Sequence, residues 1–228
     1  IANPKSRLAQ LIQSEIEFKH SKYGEFVLFG GSYNLAIRKS LFKEIGGFNE
    51  EYKSASGEDN DICYKILNKG YKIKFVKEAI VGHYHPENIV KYLKTQMKHG
   101  YWRAKLYFDH LNKVSGDDYT GYKEILESLL AGSLFLLPIL VLFNSTLNKR
   151  LRLASHYRWI FKIMPVVLVM ALFLLELLYV YKLYSKKDNK TLELLPSILN
   201  ASLLFFLRAI CRILGFAKGF VRLRFFML

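Results

Sequence analysis

The first 110 residues alternate between segments with apolar residues at helical spacing and short runs of continuous apolar residues. Helical spacing predicts an amphipathic helix over 3–20. A short apolar run predicts a strand over 25–29, which Gly30 and Gly31 interrupt because paired glycines favour turns. A second helix is expected before Gly46, since glycine commonly ends helices. The pattern therefore predicts an alternation of helices and strands.

Three acids, Glu58, Asp59 and Asp61, lie at the start of the next predicted helix. The apolar spacing after them predicts a helix over 60–68 with Asp59 as its N-cap. A strand is expected over 71–76. Clustered carboxylates at a helix start are unusual in a chain with a net charge of +15, so this stretch is the first candidate for chemistry.

A longer amphipathic helix is predicted over 88–109. Its apolar stripe is rich in aromatic residues, and the rest of its surface is basic. This combination is typical of a helix at a membrane interface, and a helix packed on a domain core fits the same pattern. The polar loop at 115–118 then indicates the end of a first domain over 1–120.

Three apolar runs change the character of the chain after residue 120. They cover 125–143, 159–181 and 194–216. The first is long enough to cross a bilayer. Arg208 and Arg212 lie on the third, so its second half is interpreted as an interfacial helix. Residues 121–228 are predicted to be a membrane region with two or three hydrophobic helices, and buried helices of a soluble bundle are the alternative.

The charge distribution favours a membrane as partner. The first 123 residues contain 20 basic and 14 acidic side chains, and the remaining residues contain 14 and 5. Basic residues at the ends of apolar runs indicate anionic headgroups, whereas a nucleic-acid-binding protein spreads them along an exposed face. We therefore expect no nucleic acid. Cys63 and Cys211 lie far apart, which implies neither a metal site nor a disulfide, and no feature fixes the oligomeric state.

Two groups of residues are candidates for chemistry. A carboxylate held at a helix N-terminus is a suitable general base, so Asp59 could remove a proton with Glu58 in support. The same acids could instead only cap the helix and complement its dipole. His83 and His85 lie two apart after a strand, so their side chains can point the same way. One of them could bind a divalent metal together with a carboxylate and a substrate phosphate, although a turn with exposed imidazoles fits as well.

Three segments of the chain follow one another in a distinctive order. They are GGSYNLAIRKSLFKEIGGFNE, then SGEDNDICYKILNKGYKIKFV, then AIVGHYHPENIVKYLKTQMKHGYW. This order resembles the C-terminal half of family-2 glycosyltransferases. Members of that family have a small-residue turn, an Asn, a helix ending in Gly-Gly-Phe, a Glu-Asp-x-Asp segment, a Gly-Tyr pair before a strand, and a His after it. The resemblance covers about residues 25–105.

The resemblance implies an α/β fold, the C-terminal part of a GT-A type mixed sheet with flanking helices. It also implies inverting transfer of a sugar from a nucleotide-sugar donor to a lipid-linked or cell-surface glycan acceptor. By match to the family motif, Asp59 would be the catalytic base, and Glu58 and Asp61 would orient it or touch the acceptor. His83, and less directly His85, would reach a divalent metal, Mg²⁺ or Mn²⁺.

The resemblance also assigns substrate-binding candidates. Gly30, Gly31 and Asn34 would line the donor or acceptor cleft. Processive members carry Gln-x-x-Arg-Trp on an interfacial helix. Here Gln96 and Trp102 stand at a different spacing, which makes them candidates for substrate contact but argues for transfer of a single sugar.

The family's N-terminal half is expected upstream of Ile1, because the chain begins without Met and without the nucleotide-binding strand. That half would supply the Asp-x-Asp metal ligands. The alternative is a non-catalytic membrane anchor or interaction subunit that retains the fold without a donor site. A multi-pass membrane location is expected, with the catalytic domain on the cytoplasmic side.

Overall fold

The computed structural model describes residues 1–111, 121–151 and 158–226, without the side chains at 138–151, 158–162 and 224–226. Within this part the chain forms eight α-helices and two β-strands. The helices are α1 Arg7–His20, α2 Lys39–Glu44, α3 Glu58–Asn68, α4 Ile89–Asp109, α5 Tyr122–Leu151, α6 Arg158–Tyr184, α7 Asn189–Leu194 and α8 Ile198–Phe226. The strands are β1 Phe26–Val27 and β2 Ile73–Lys74. The loop predicted at 115–118 lies outside the described residues.

The predicted amphipathic helices at 3–20 and 88–109 are confirmed as α1 and α4. Ser6 caps α1 by accepting a hydrogen bond from the backbone N–H of Ala9, and Asn88 caps α4 in the same way. The apolar stripe of α1 packs against α6 and α8. Its buried members are Leu8, Leu11 and Phe18. The helix that opens the chain is therefore part of the same core as the apolar runs at its end.

The two predicted strands are present but short. β1 and β2 pair antiparallel, with Val27 opposite Ile73. α3 covers them with Ile62, Cys63 and Ile66, all buried. The larger mixed sheet expected of a GT-A fold is not confirmed, because the described residues contain this two-stranded sheet alone. The strand predicted over 71–76 is longer than β2, because β1 has only two residues with which β2 can pair.

α3 begins two residues earlier than the sequence predicts. Its N-cap is Gly57, which has a φ of +98°, and Glu58 and Asp59 are its first two residues. This backbone conformation disfavours any side chain, and a Cβ here would also lie 2.9 Å from the Tyr52 ring. The prediction of Asp59 as N-cap is therefore wrong. Since glycine makes the turn, the Asp59 carboxylate is not used to cap the helix.

α4 and α8 are in backbone contact at three glycines. A Cβ on Gly100 would lie 1.9 Å from the carbonyl oxygen of Arg212, and a Cβ on Gly215 would lie 1.9 Å from that of Met97. Gly219 approaches α4 almost as closely, and with Gly215 it forms a GxxxG sequence, which allows helices to pack closely. The two helices therefore pack with their main chains touching.

Seven charged side chains from α1, α5, α6 and α8 form a buried group, named here the Arg208 cluster. Its members are Glu15, Lys19, Lys123, Glu124, Glu127, Glu176 and Arg208. Arg208 is fully buried, and its Nη1 donates to Oε2 of Glu15 at 2.6 Å. Its guanidinium also lies over the Phe205 ring. The arginine that indicated an interfacial helix therefore faces the protein interior.

The four carboxylates of the Arg208 cluster share its three cations. Lys123 lies 2.5 Å from Glu127 and 2.8 Å from Glu176. Burial alone would raise the pKa of Glu15, but Arg208, followed by lysines of the cluster, holds that pKa well below its usual range. The cluster thus joins α1 to three helices of the C-terminal part by paired charges.

Two of the described helices are long and apolar enough to cross a membrane, at Ile163–Tyr184 in α6 and Ile198–Leu223 in α8. The predicted apolar runs at 159–181 and 194–216 are thus confirmed as long helices, although the second starts after Pro196. α6 leaves apolar side chains exposed at helical spacing, namely Val166, Met170, Leu174 and Leu178. The run at 125–143 lies within α5, whose side chains are described up to residue 137.

Candidate active site

The acids in the first turn of α3 differ in how their carboxylates are used. Oε2 of Glu58 accepts a hydrogen bond from the backbone N–H of Ser56 at 2.5 Å, so Glu58 folds back onto the helix start. Oδ1 of Asp59 is buried and has no hydrogen-bond partner among the described residues. A buried carboxylate oxygen without a donor is costly to maintain, which marks Asp59 as a candidate for ligand contact.

Asp61 is buried and engaged on both oxygens. Its Oδ1 lies 2.8 Å from Nε2 of His110, at the C-terminal end of α4. The Lys65 ammonium lies 2.8 Å from Oδ2, off the line of a hydrogen bond but close enough for an ion pair. Asp61 therefore fastens the first turn of α3 to the end of α4.

Trp102 of α4 forms a wall beside the start of α3. Its Nε1 donates to Oγ of Ser54 at 2.6 Å, and its ring packs on Tyr52 with a centroid separation of 5.5 Å. Its Cβ lies 3.4 Å from where a Cβ on Gly57 would stand. The loop that leads into the acids is therefore fixed to α4, and the structure brings Trp102 next to them.

Gln96 lies on the same helix as Trp102 but has a different partner. It is buried, and its Oε1 accepts a hydrogen bond from Nε of Arg212 at 2.8 Å. Its side chain therefore links α4 to α8, whereas Trp102 links α4 to the acid-bearing loop.

A second candidate region is a cavity of about 850 Å³ beside the β1–β2 pair. Five of the residues singled out from the sequence line it: Gly30, Gly31, Asn34, His83 and His85. The Asn34 side chain donates to the carbonyl oxygen of Ala79 at 2.7 Å, so it holds the segment after β2. The structure thus brings together the residues expected to line a substrate cleft.

The two histidines in this cavity are stacked, with ring centroids 4.7 Å apart. His85 is engaged, because its Nε2 lies 2.9 Å from Oε1 of Gln13 and its backbone N–H donates to Asn3. Burial, followed by the neighbouring His83, lowers the pKa of His85 to about 4, so His85 is neutral at pH 7. Nδ1 of His83 is buried without a hydrogen-bond partner. Of the pair, His83 has the ring nitrogen that is available to a ligand.

The acids do not line the cavity that contains the two histidines. None of Glu58, Asp59 and Asp61 is among the described residues that line the cavity. Across residues 1–111, 121–151 and 158–226, no group of three or more His, Cys, Asp or Glu side chains is arranged to hold a metal ion. One histidine nitrogen fits a single ligand position of a metal and is not a metal centre by itself.

Sequence reasoning missed the two partners of Asp61. Lys65 lies four residues further along the same helix, and this spacing alone predicts an ion pair. His110 lies 49 residues away, at the end of another helix, and no local pattern connects it with Asp61. The ion pair between Lys65 and Asp61 could have been predicted from the sequence, whereas the contact between His110 and Asp61 could not.

Comparison with known proteins identifies relatives of this chain. It is 25% identical over 143 residues to an O-antigen chain rhamnosyltransferase of Salmonella typhimurium, covering 60% of this chain and 44% of that protein. It is 27% identical over 81 residues to a pre-mycofactocin glycosyltransferase of Mycobacterium tuberculosis, covering 36% and 17%. It is 35% identical over 54 residues to a probable glycosyltransferase of Bacillus subtilis, covering 24% and 12%.

The chain spans less than half the length of each of these curated relatives. No solved structure gives a significant match. The model for glycosyl transferase family group 2 matches residues 6–207, which is most of the chain. The resemblance drawn from the order of its motifs is confirmed, and the chain belongs to glycosyl transferase family group 2.

Proposed function

We propose that this chain carries the acceptor side of an inverting glycosyltransferase in which Asp59 is the general base. Family membership supports glycosyl transfer. The observation that carries the residue assignment is the buried Oδ1 of Asp59, which has no hydrogen-bond partner in the described part of the chain. A general base needs an oxygen available for the proton that it removes. Both oxygens of Asp61 are engaged, and Oε2 of Glu58 is used to hold the turn before α3.

In the proposed reaction, an acceptor hydroxyl oxygen attacks the anomeric carbon of a nucleotide-sugar donor while Asp59 takes the hydroxyl proton. The bond between the anomeric carbon and the leaving diphosphate oxygen breaks on the opposite face, and its electron pair leaves with the nucleoside diphosphate. A single displacement of this kind inverts the configuration of the sugar. The base must be held at a fixed position, which a helix start fastened to α4 provides.

Glu58 and Asp61 act in this proposal as positioning residues. Glu58 holds the turn before α3 through Ser56, and Asp61 holds the first turn of α3 through His110 and Lys65. The aromatic face of Trp102 supplies an apolar wall against which a sugar ring can pack. Gln96, on the same helix, holds α4 to α8 through Arg212.

The cavity beside the β1–β2 pair is proposed to receive the donor or acceptor near its reacting groups. Gly30 and Gly31 permit close approach of a substrate to the backbone, and Asn34 fixes the neighbouring segment. A divalent metal, Mg²⁺ or Mn²⁺, stabilises the charge of a leaving diphosphate when it is bound. We assign His83 as one ligand, because its Nδ1 has no partner, and His85 as its neutral neighbour. The main ligands, an Asp-x-Asp pair, are expected upstream of this chain.

We also propose that the protein is a multi-pass membrane enzyme with its catalytic part on the cytoplasmic side. The apolar stripe of α6 supports lipid contact. Only 17% of its most apolar segment is buried inside the protein, against 39% of the corresponding segment of α8. Nucleotide sugars are water-soluble donors, so the site must face the compartment that contains them. An acceptor attached to a lipid or a surface glycan suits an enzyme held at this boundary.

The test compares sugar transfer by the full-length protein in detergent before and after Asp59→Asn. Loss of a general base is expected to lower kcat by about 10²–10⁴-fold, with a smaller change in KM. Glu50→Gln is the matched control, because Glu50 is an exposed acid in the loop before α3 and should leave kcat unchanged. Circular dichroism and gel filtration check that both variants fold. Transfer retained by a folded Asp59→Asn protein with several donors would show that the base is another group.

A further inference from the structure

The C-terminal helix α8 is long and apolar enough to cross a bilayer, so the helices around it decide whether it does. Its apolar segment, Ile198–Leu223, is long enough, at about 1.5 Å per residue, for a hydrocarbon core of about 30 Å. Arg208 and Arg212 lie near the middle of this segment. If α8 crossed a bilayer, any helix bound to these two arginines would lie at the depth of the bilayer centre.

α4 runs parallel to the second half of α8. Gln96 of α4 accepts a hydrogen bond from Arg212 at 2.8 Å, and further along both helices Phe108 stacks on Phe220 with ring centroids 5.4 Å apart. The main-chain contacts at the glycines lie in the same stretch. Because the positions increase together along the two helices, α4 and α8 run side by side in the same direction.

α4 carries exposed lysines at the level of the middle of α8. Lys94 and Lys98 lie two residues on either side of Gln96, or about 3 Å along the helix axis, and Lys91 lies slightly further back. All three are exposed, and helical spacing places them on the side of α4 opposite to Gly100, which faces α8. A crossing by α8 would bring these ammonium groups into hydrocarbon. Lysine is costly there, except near the ends of a span.

α1 is a second charged helix beside the middle of α8. Its Glu15 accepts a hydrogen bond from Arg208 at 2.6 Å. Two residues further along α1, Glu17 is exposed and lies 2.6 Å from Lys187. A crossing by α8 would therefore require both α1 and α4 to enter the bilayer with it, together with their exposed charges.

One face of α8 is exposed and apolar, and it is named here the α8 stripe. Its members recur at helical spacing: Leu199, Leu203, Leu207, Leu214 and Val221. They lie on a different face of the helix from Gly215 and Gly219, which contact α4. Lys218 and Arg222, both exposed, border the α8 stripe near its C-terminal end. An apolar stripe bordered by basic residues is the pattern of a helix that lies in a membrane interface.

We propose that α8 does not cross the membrane but lies along the surface of an anionic bilayer. The α8 stripe enters the outer part of the acyl chains, and Lys218 and Arg222 contact the headgroups. α4 covers α8 from another side, so that its lysines stay in water. The inference rests on the proposed membrane location but not on Asp59 as the base. It leaves the crossings of a multi-pass protein to α5 and α6.

Cysteine labelling of the full-length protein in sealed vesicles tests whether α8 crosses. Glu193→Cys and Arg222→Cys place exposed thiols before and near the end of α8, and Lys94→Cys marks the side of the catalytic part. A membrane-impermeant maleimide added from that side is expected to label all three variants equally without detergent. The protein without an introduced cysteine supplies the background. Labelling of Arg222→Cys only after detergent, or only from the opposite side, would show that α8 crosses and would overturn the proposal.

Fluorescence quenching tests whether the α8 stripe is in lipid. A fluorophore on Leu207→Cys reports the middle of α8, and the lipid carries a quencher either near the headgroup or at the bilayer centre. A helix lying about 5–10 Å into the interface should be quenched about 2-fold more by the shallow quencher. Stronger quenching from the centre would show a crossing, and no quenching would show that protein covers the α8 stripe. Either result would overturn the proposal. Leu203→Cys replaces Leu207→Cys if that variant does not fold.

The contact with anionic headgroups has a test of its own. Replacement of phosphatidylcholine by phosphatidylglycerol should increase the shallow quenching, and Lys218→Gln/Arg222→Gln should reduce this increase by about 2-fold. Lys94→Gln/Lys98→Gln is the matched control, because it removes the same charge from the side of α4 turned away from α8. It should behave like the wild type. Equal behaviour of the two double variants would overturn the headgroup contact.

These results are separable from the proposed function. Asp59→Asn should leave both labelling and quenching unchanged even where it abolishes transfer. A crossing α8 in a protein that needs Asp59 for transfer would overturn the present proposal alone. Recovery of the full-length protein in the soluble fraction would overturn the proposed membrane location as well.

Discussion

The start of α3 and the surroundings of α8 handle charge in opposite ways. Around α8, every carboxylate of the Arg208 cluster has a cation within 4 Å, and α4 and α8 touch at their main chains. At the start of α3, Asp59 keeps a buried oxygen without a hydrogen-bond partner in the described residues. Oε2 of Glu176 in the cluster also has no hydrogen-bond partner, but Glu176 is in an ion pair with Lys123, whereas Asp59 is in no ion pair within the described part of the chain.

The difference separates assembly from chemistry. Buried ion pairs of this kind join helices, and removal of one partner leaves another charge buried. Asp59 is in no such pair within the described residues, and its neighbours Asp61, Glu58 and Trp102 hold the turn around it in place through their own partners. This contrast, more than acidity itself, distinguishes a candidate base from a structural acid.

The largest effect is expected at Arg208. Arg208→Met should lower the free energy of unfolding by about 3–5 kcal/mol, because Glu15 and Glu127 would stay buried without it. Thermal or chemical unfolding in detergent measures this change. The double variant Arg208→Met/Glu15→Gln should recover part of the loss, since both partners of the closest pair are then neutral. A loss below about 1 kcal/mol for the single variant would mean that the cluster does not hold the helices together.

A smaller effect is expected at the contact between α4 and α8. Gly215→Ala should cost about 3 kcal/mol, because its Cβ would lie 1.9 Å from the carbonyl oxygen of Met97 and would separate the helices. Gly132→Ala in α5 is the matched control, since its Cβ would meet the Ile213 side chain at an ordinary 3.7 Å. Unfolding of both variants under one set of conditions is the measurement. Equal stability of the two would contradict the close packing described here.

The smallest effect concerns pH. The pKa of His85 is lowered to about 4, below the value of about 6.5 expected in the unfolded chain, so between these values the unfolded state binds more protons. Stability should therefore fall by about 1–2 kcal/mol as pH drops from 7 to 4.5. His85→Gln should reduce this dependence, and the matched variant His20→Gln should change it less, since His20 is partly exposed whereas His85 is buried. Identical pH profiles for the wild type and His85→Gln would remove His85 as the cause.

Local patterns predicted the helices well. Apolar spacing and capping residues identified α1 and α4, because their signals lie within one turn of the chain. The start of α3 was misplaced because Gly57 adopts a positive φ, which the rule that favours Asp as N-cap does not foresee. The strands were predicted too long, since the length of a strand depends on how many residues of the neighbouring strand can pair with it.

The candidate site was predictable only in part. The acids and the histidines stand out in the sequence, but the state of each carboxylate depends on partners far away, as with Asp61 and His110. The bond between Glu15 and Arg208 spans 193 positions, and no periodicity encodes it. A signal was present nonetheless, because a charge inside an apolar run implies a partner of opposite sign. The GxxxG sequence in α8 is likewise a pattern typical of close helix packing, although it does not identify α4 as the partner.

The main-chain contact between α4 and α8 has a mechanical consequence. Helices that touch at their backbones cannot slide past one another without separating, so α4 and α8 are expected to move as one rigid unit. α8 is apolar enough to sit in a bilayer, and α4 carries Trp102 two residues after Gly100. If a bilayer of different thickness changed the tilt of α8, Trp102 beside Asp59 would move with it.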